Sequence, residues 1–460
     1  MDFCVVRSSR GLVPPSGVTP SGTLDLSVID RLAVLRCNAR TLHVFRHGVG
    51  AVHDVIRNAL SKALIPYYPL AGRLNNVSSQ SGQLIQIECS GEGVWFVEAS
   101  ANCTLESVNY FDHAPSIPYD MLLPDHPTET TQATDALVQM QVTQFACDGF
   151  VIGLVFCHSI CDGLGAAQFL NAVGELARGL HHPTIAPAWC RDFLPPPPQP
   201  PKTALPTPPP PPLPNYGLEH AIIDITADQI KQLKQEFQDS TGGQTCSSFE
   251  IVAATLWIHR TRAIHLDADD NDPNTQLLKL VFFANCRQLI LNPPLPQGFY
   301  GNCFFPVTVS ASSQTLTGGS GSGSSSIVDV VKLIQEAKTR LADEFGKWTK
   351  QQQQQQQQQG GEQLKNEDGQ IPVDPFAPPL LYTTLFISEW GRLGFNQIDY
   401  GWGPPVHVVP IQGSSIIPVG IVGSLPSPKK GIRLMTWCVQ KPHLQPFLHY
   451  MDAQFQMNYP

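Results

Sequence analysis

Residues 151–179, VIGLVFCHSICDGLGAAQFLNAVGELARG, decide how the rest of the 460-residue chain is read. The run from Val151 to Cys157 is apolar and rich in β-branched residues, the composition of a buried strand. It ends at His158. Asp162 and Gly163 then turn the chain, and the period changes: Leu164, Phe169, Leu170 and Val173 fall on one face of a helix. Apolar strand, polar turn and amphipathic helix put His158 at a strand end, where a buried chain reaches a cleft. A histidine there is both desolvated and reachable, as a general base working near pH 7 must be. A lone histidine in a strand is otherwise an ordinary core residue. The fixed spacing His-x-x-x-Asp-Gly favours the functional reading.

Composition narrows the classes. Apolar residues make up 42% of the chain, enough for a large core divided between two domains. Charged residues make up 15%, against roughly 25% in an average globular protein. The formal net charge is −9 and no Lys/Arg run exceeds a dipeptide, so no nucleic-acid partner is expected. The 12 cysteines include no CxxC pair. Cys157 and Cys161 bracket His158, but neighbouring strand residues face opposite ways and no second cluster supplies further ligands, so no metal is expected. Reduced thiols of this kind fit a cytosolic protein. The start, MDFCVVRSSRG, has no apolar signal-peptide core, and no apolar run reaches the roughly 18 residues of a membrane span. The expectation is a soluble, cytoplasmic monomer without membrane contact.

Along the chain, TLHVF (residues 41–45), LIQIEC, VWFVEA and LVQMQVTQF read as strands, and Val52 to Leu64 as a helix stopped by Pro66 and Pro69. Between Phe193 and Asn215 proline dominates, which forbids sheet and helix and gives an extended spacer. Repeated PxxP in the same stretch is the alternative signal, a docking site for SH3- or WW-type modules. The second half resumes with HAIIDI, a helix from Ala227 to Phe237, a second helix in SSFEIVAATLWIHRTRAI, and the strand LLKLVFFANCR. A further helix is expected from Ile327 to about Trp348, and the glutamine tract beginning at Gln351 reads as disordered. The division is therefore 1–192, a crossover at 193–215, and 216–460, with flexible insertions at about 312–326 and 350–371.

Three stretches carry chemistry: His158 to Gly163, Asn285 to Arg287 (NCR), and Asp399 to Gly403 (DYGWG). Asp162 could orient the imidazole as in a triad. A tight Asp-Gly turn, however, should carry its carboxylate away from the cleft, where it needs a cation, and Arg287 after an apolar strand is the candidate. Ser159, Cys157 and Cys161 are conceivable nucleophiles, but no GxSxG elbow surrounds Ser159 and no partner acid is evident.

With its HSICDG and DYGWG, in that order and separation, the chain resembles the plant BAHD superfamily of coenzyme A-dependent acyltransferases, marked by HxxxDG and DFGWG. YYPLAGRL, PPLPQGFYGN and the N-terminal VTPSGTLDLSVID agree, and the likeness runs along the whole chain apart from the proline, Gly/Ser and glutamine tracts. Tyr400 replaces the usual Phe. Alcohol acyltransferases of the volatile-ester, benzoyl and taxoid kinds look most similar. The resemblance implies an α/β fold of two chloramphenicol acetyltransferase-like domains with mixed sheets and a channel between them. It implies His158 as general base, Asp162 as support of its turn, structural roles for Gly163, Asp399, Gly401 and Gly403, and a structural or channel-adjacent place for Trp402. The implied reaction is transfer of an acyl group from acyl-CoA, a co-substrate with no permanently bound cofactor, to the hydroxyl of a small alcohol. Amide formation with an amine is the alternative, and a non-catalytic binding protein a third reading. Thr41 and His43 correspond to an acceptor-lining segment in related enzymes, or are ordinary strand residues. Ser247 and Ser248, at a helix start, either offer N–H groups to CoA phosphates or simply cap the helix.

Overall fold

The computed structural model describes residues 3–79, 82–112, 118–125, 136–194, 213–264, 277–291, 293–317, 327–357, 374–411 and 416–456. In chain order the strands are β1 Val5–Val13, β2 Thr23–Asp25, β3 Asn38–Phe45, β4 Arg73–Ser79, β5 Gly82–Glu88, β6 Val94–Ala101, β7 Val138–Gln144, β8 Phe150–Cys157, β9 Leu218–Thr226, β10 Leu277–Asn285, β11 Phe304–Ser312, β12 Thr384–Glu389, β13 His407–Pro410, β14 Val419–Ser424 and β15 Gly431–Gln440. The helices are α1 Val52–Ala63, α2 Gly163–Ala177, α3 Ala227–Ser240, α4 Ser248–Ile264, α5 Ser313–Thr317, α6 Ile327–Thr339, α7 Leu341–Gln357 and α8 Lys441–Gln456. No described helix is long and apolar enough to cross a membrane.

Two six-stranded mixed sheets carry the fold, in the orders β1-β6-β7-β8-β3-β13 and β11-β10-β12-β14-β15-β9, with a small sheet β2-β5-β4 beside the first. Parallel pairs (β6 with β7, β10 with β12, β12 with β14) sit among antiparallel ones. Strand β8 reads FVIGLVFC and is buried from Phe150 to Phe156 because both its faces are covered. Phe150, Ile152, Leu154 and Phe156 pack with α1 and α2, and Val151 and Val155 with a second cluster behind the sheet. In the other half, α4 is buried along its length, polar residues such as Thr255 and Arg260 included, with α3, α5, α6 and α8 as neighbours.

Two sequence expectations are corrected here. The helix expected from Ile327 to about Trp348 is two helices, α6 and α7, parted at Arg340, and the second runs on through Gln357. Glutamine is a good helix former, and Phe345 and Trp348, packed against Phe305 and Phe376, anchor the helix from which the tract extends. The insertion expected from about 350 thus begins inside a helix, and the one expected from about 312 begins inside the end of β11 and α5. The second correction is topological: β13, from the second half of the sequence, completes the first sheet by pairing with β3 from His407↔Val44 to Pro410↔Thr41. Without it the main-chain groups of β3 would form an open edge. Residues 195–212 of the proline-rich crossover, 318–326 of the Gly/Ser tract and 358–371 of the second insertion lie outside the described residues.

Candidate active site

His158 stands one residue past the end of β8, in the turn that leads to α2. Its N–H donates to the Cys37 carbonyl at 2.9 Å and its carbonyl accepts from Asn302 Nδ2 at 2.8 Å. The ring lies between Phe156 and Phe304, with centroids 6.2 and 6.5 Å away. It lines a cavity of about 560 Å³ to which both halves of the chain contribute: Leu35, Ala39 and Phe156 from one, Phe283, Phe376 and Trp390 from the other. The cavity therefore lies between the two sheets, and its wall is mainly apolar, with aromatic rings on both sides and Asp162, Arg287, Asp374 and Glu389 among its polar members.

Asp162 and Arg287 line the same cavity as His158, against the expectation that the Asp-Gly turn would carry the carboxylate out of the cleft. None of the hydrogen bonds of Asp162, however, goes to His158. Asp162 is the N-cap of α2, accepting from Gly165 N at 3.0 Å, a cap worth about 1 kcal/mol. The same carboxylate accepts from Arg287 Nη1 and Nη2 at 2.9 and 2.8 Å, a bidentate pair, and from Cys303 N at 3.2 Å. Burial works against the Arg287 charge, but the Asp162 carboxylate outweighs it and holds the guanidinium above its ordinary value. Arg287 Nη2 also donates to the Gly301 carbonyl at 2.7 Å, so one residue ties β10, the turn after β8 and the start of β11 together. Gly165 is required at this crossing. A Cβ there would stand 1.9 Å from the Tyr300 carbonyl oxygen.

The conceivable nucleophiles are occupied or quenched. Ser159 Oγ is buried and donates to the Leu35 carbonyl at 3.0 Å. Burial pushes the Cys157 and Cys161 thiols up, away from the thiolate.

DYGWG lies at the far end of α2. Asp399 Oδ1 accepts from Gly401 N at 2.7 Å and Gly403 N at 2.9 Å, and both glycines take positive φ, +108° and +91°, which closes a loop that other residues strain to adopt. The Asp399 carbonyl is met by Arg178, and a Cβ on Gly174 would come within 2.5 Å of it. From Asp162 to Gly174 the helix rises about 18 Å, so the loop braces α2 at a distance from His158. Trp402 packs edge-on to Phe150, and Tyr400 is buried against Phe45.

Thr41 and His43 lie in β3 with their side chains buried. They are 0% and 1% exposed, hydrogen-bond each other at 2.9 Å and line neither cavity described here. Phe395, stacked with Trp390, covers His43 at 5.2 Å, so on β3 the cavity wall stops at Ala39. Burial takes His43 down to about 3. It likewise takes His259 and, with the help of Arg433, His407 down to about 4. Between the ordinary histidine value near 6.5 and these lowered values, the unfolded chain binds protons that the folded chain refuses. Stability is therefore full above about pH 6.5 and falls as pH drops toward 4. The urea midpoint is expected to be lower at pH 5 than at pH 7; a midpoint equal at both would contradict it.

Ser247 and Ser248 open α4. Ser247 Oγ accepts from Glu250 N at 3.2 Å while Glu250 accepts from Ser247 N at 2.8 Å, a reciprocal cap. Ser248, not Ser247, lines a second cavity of about 560 Å³ that also carries Lys231, Lys234 and Arg392. Glu389, at the end of β12, borders both cavities.

Sequence reasoning missed a buried polar cluster behind His158. Asp30, fully buried, accepts from Ser27 Oγ at 2.8 Å and Asn302 Nδ2 at 2.7 Å, and pairs with Arg191 Nε at 2.9 Å. Arg191 donates through Nη2 to the Ile160 carbonyl at 2.5 Å. The signal was present, since Asp30 ends the N-terminal VTPSGTLDLSVID and Asn302 ends PPLPQGFYGN. Nothing local shows that the two meet.

The model of the transferase family matches residues 3–452. Acyl transferase 4 of Oryza sativa subsp. japonica is 41% identical, over 98% of this chain and 99% of its own. The chain belongs to the BAHD acyltransferases of that family. Another relative of this BAHD acyltransferase is the 3'-N-debenzoyl-2'-deoxytaxol N-benzoyltransferase of Taxus canadensis, 34% identical over 99% of this chain and 97% of its own. In fold, vinorine synthase superposes with a TM-score of 0.69 at 20% identity, covering 98% of this chain and 100% of its own. TRI101 of F. sporotrichioides, crystallised with coenzyme A and T-2, gives 0.65 at 12% identity, covering 93% and 97%. The BAHD chain is thus α/β, with two chloramphenicol acetyltransferase-like domains.

Proposed function

We propose that the chain moves an acyl group from acyl-CoA to the hydroxyl of a small or specialised-metabolite alcohol, giving an ester and free CoA, with His158 as general base. The observation that carries this reading is the pair of cavities that share Glu389. One is cationic through Lys231, Lys234 and Arg392, and the other is mainly apolar and holds His158. The first suits the phosphates of CoA, with Ser248 at the start of α4 beside them, and the second suits an apolar acyl chain and its acceptor. TRI101, which shares the fold, was crystallised with coenzyme A.

The mechanism follows from that placement. With acyl-CoA and acceptor bound together, the acceptor oxygen attacks the thioester carbonyl as its proton passes to Nε2 of His158. The tetrahedral intermediate collapses, the C–S bond breaks, and the imidazolium returns the proton to the leaving sulfur. No acyl-enzyme forms. Asp162 and Arg287 hold the turn that aims the ring. Neither a bound cofactor nor a partner protein is part of the scheme, and the protein works as a cytoplasmic monomer.

Amide formation is the second reading, favoured by the 34% identity with an N-benzoyltransferase. The test is CoA release from acetyl-, benzoyl- and coumaroyl-CoA against a panel of alcohols and amines, with products identified by mass. Esters from alcohols are expected. Turnover with amines alone would replace the alcohol reading, and no turnover with any pair would leave a binding protein.

A further inference from the structure

The N–H of His158 donates to the Cys37 carbonyl, which carries the β3–β8 register (Asn38↔Cys157) one pair further, but its carbonyl is held by a side chain from the other half of the sequence, Asn302. Asn302 is fully buried. Its Nδ2 donates both hydrogens, one to the His158 carbonyl at 2.8 Å and one to Asp30 Oδ1 at 2.7 Å. That orientation is forced, because the opposite flip would set Oδ1 against a carboxylate and a carbonyl, three acceptors with no donor. Asn302 Oδ1 has no partner among the described residues. The side chain is therefore placed for its two donors at the expense of its acceptor, an arrangement with a desolvation penalty that simple packing does not require. Asp30, buried and paired with Arg191, is the fixed point to which the bridge is tied. The neighbouring main chain adds two further ties to the same turn, Cys303 N to Asp162 and the Gly301 carbonyl to Arg287.

We propose that Asn302 is the positioning residue of the general base, using its amide group to bolt the His158 main chain to Asp30 so that the imidazole keeps a fixed aim into the apolar cavity. Asn302 touches no substrate and moves no proton. It acts through geometry, and a base displaced by about 1 Å loses on the order of 10²-fold in rate. The proposal rests on His158 being the base.

Two variants of the full chain test this. Asn302→Leu keeps the size but removes both donors and the acceptor, and Asn302→Ala removes the side chain beyond Cβ. Both are expected to lower kcat about 100-fold, with KM for acyl-CoA and acceptor within threefold of wild type and the acidic limb of the pH–rate profile at its wild-type midpoint. Asn302→Ser, with one donor, is expected to fall between. Circular dichroism and the urea midpoint identify folded variants, and rates are compared among these. Wild-type kcat in folded Asn302→Ala or Asn302→Leu overturns the proposal. A shifted acidic limb would also overturn it, since the residue would then be tuning the proton rather than the position. His158→Ala run alongside separates the two claims. If that variant retains wild-type turnover, it is the base assignment that fails.

Discussion

Replacing His158 with alanine is expected to lower kcat by ~10²–10⁴-fold, the usual worth of a positioned general base and equal to roughly 3–5 kcal/mol of barrier. Stability should change little, because the ring lines a cavity and its Nδ1 has no partner among the described residues; the interactions that hold the residue are made by its backbone. KM for acyl-CoA is expected to stay near wild type, since the cationic cavity is formed by Lys231, Lys234 and Arg392 on other elements. Steady-state rates with a fixed acceptor and a far-UV spectrum are sufficient. A folded variant with turnover within a few-fold of wild type would remove His158 from the chemistry.

The second large effect is on stability. Arg287→Ala leaves the Asp162 carboxylate with Gly165 N and Cys303 N but no cation, at a site where the side chains are only 17% and 12% exposed. Breaking a buried pair from one side costs about 3–5 kcal/mol, and the slight exposure puts this one at the lower end. Asp162→Ala should cost more, since it also removes the cap of α2. The double variant is expected to lose less than the sum of the two single losses, because each removes the same bond. Urea midpoints of the three proteins measure this. Additive losses would show that the pair is not coupled, and losses below about 1 kcal/mol would mean that it behaves as a surface bridge.

What the sequence makes legible follows from the range of the forces involved. The strand–turn–helix around His158 is written in local period, and it forms as β8 and α2. The meeting of Asp162 and Arg287 could be argued at a separation of 125 residues because a buried carboxylate needs a cation and few are available. No such argument reaches Asn302, whose partners Asp30 and His158 are 272 and 144 residues away and whose amide could be satisfied anywhere. Strand β13 is four residues long and pairs across the two halves, so its period says nothing of which sheet it joins. Thr41 and His43 alternate correctly along β3. What covers His43 is Phe395, and a covering residue more than 350 positions away leaves no mark on the strand it covers. The break at Arg340 is a further case, where two helices with similar patterns read as one.

The central claim is that His158 takes the acceptor's proton, and it is tested most directly by comparing wild type with His158→Ala across acceptors of graded acidity, from an aliphatic alcohol to an acidic phenol. An acceptor that ionises readily needs the base less. The ratio of the two rates is expected to fall steadily as the acceptor pKa falls, approaching unity for the most acidic phenol. A ratio that stays constant across the series would show that His158 supports the site without removing the proton, and would contradict the account.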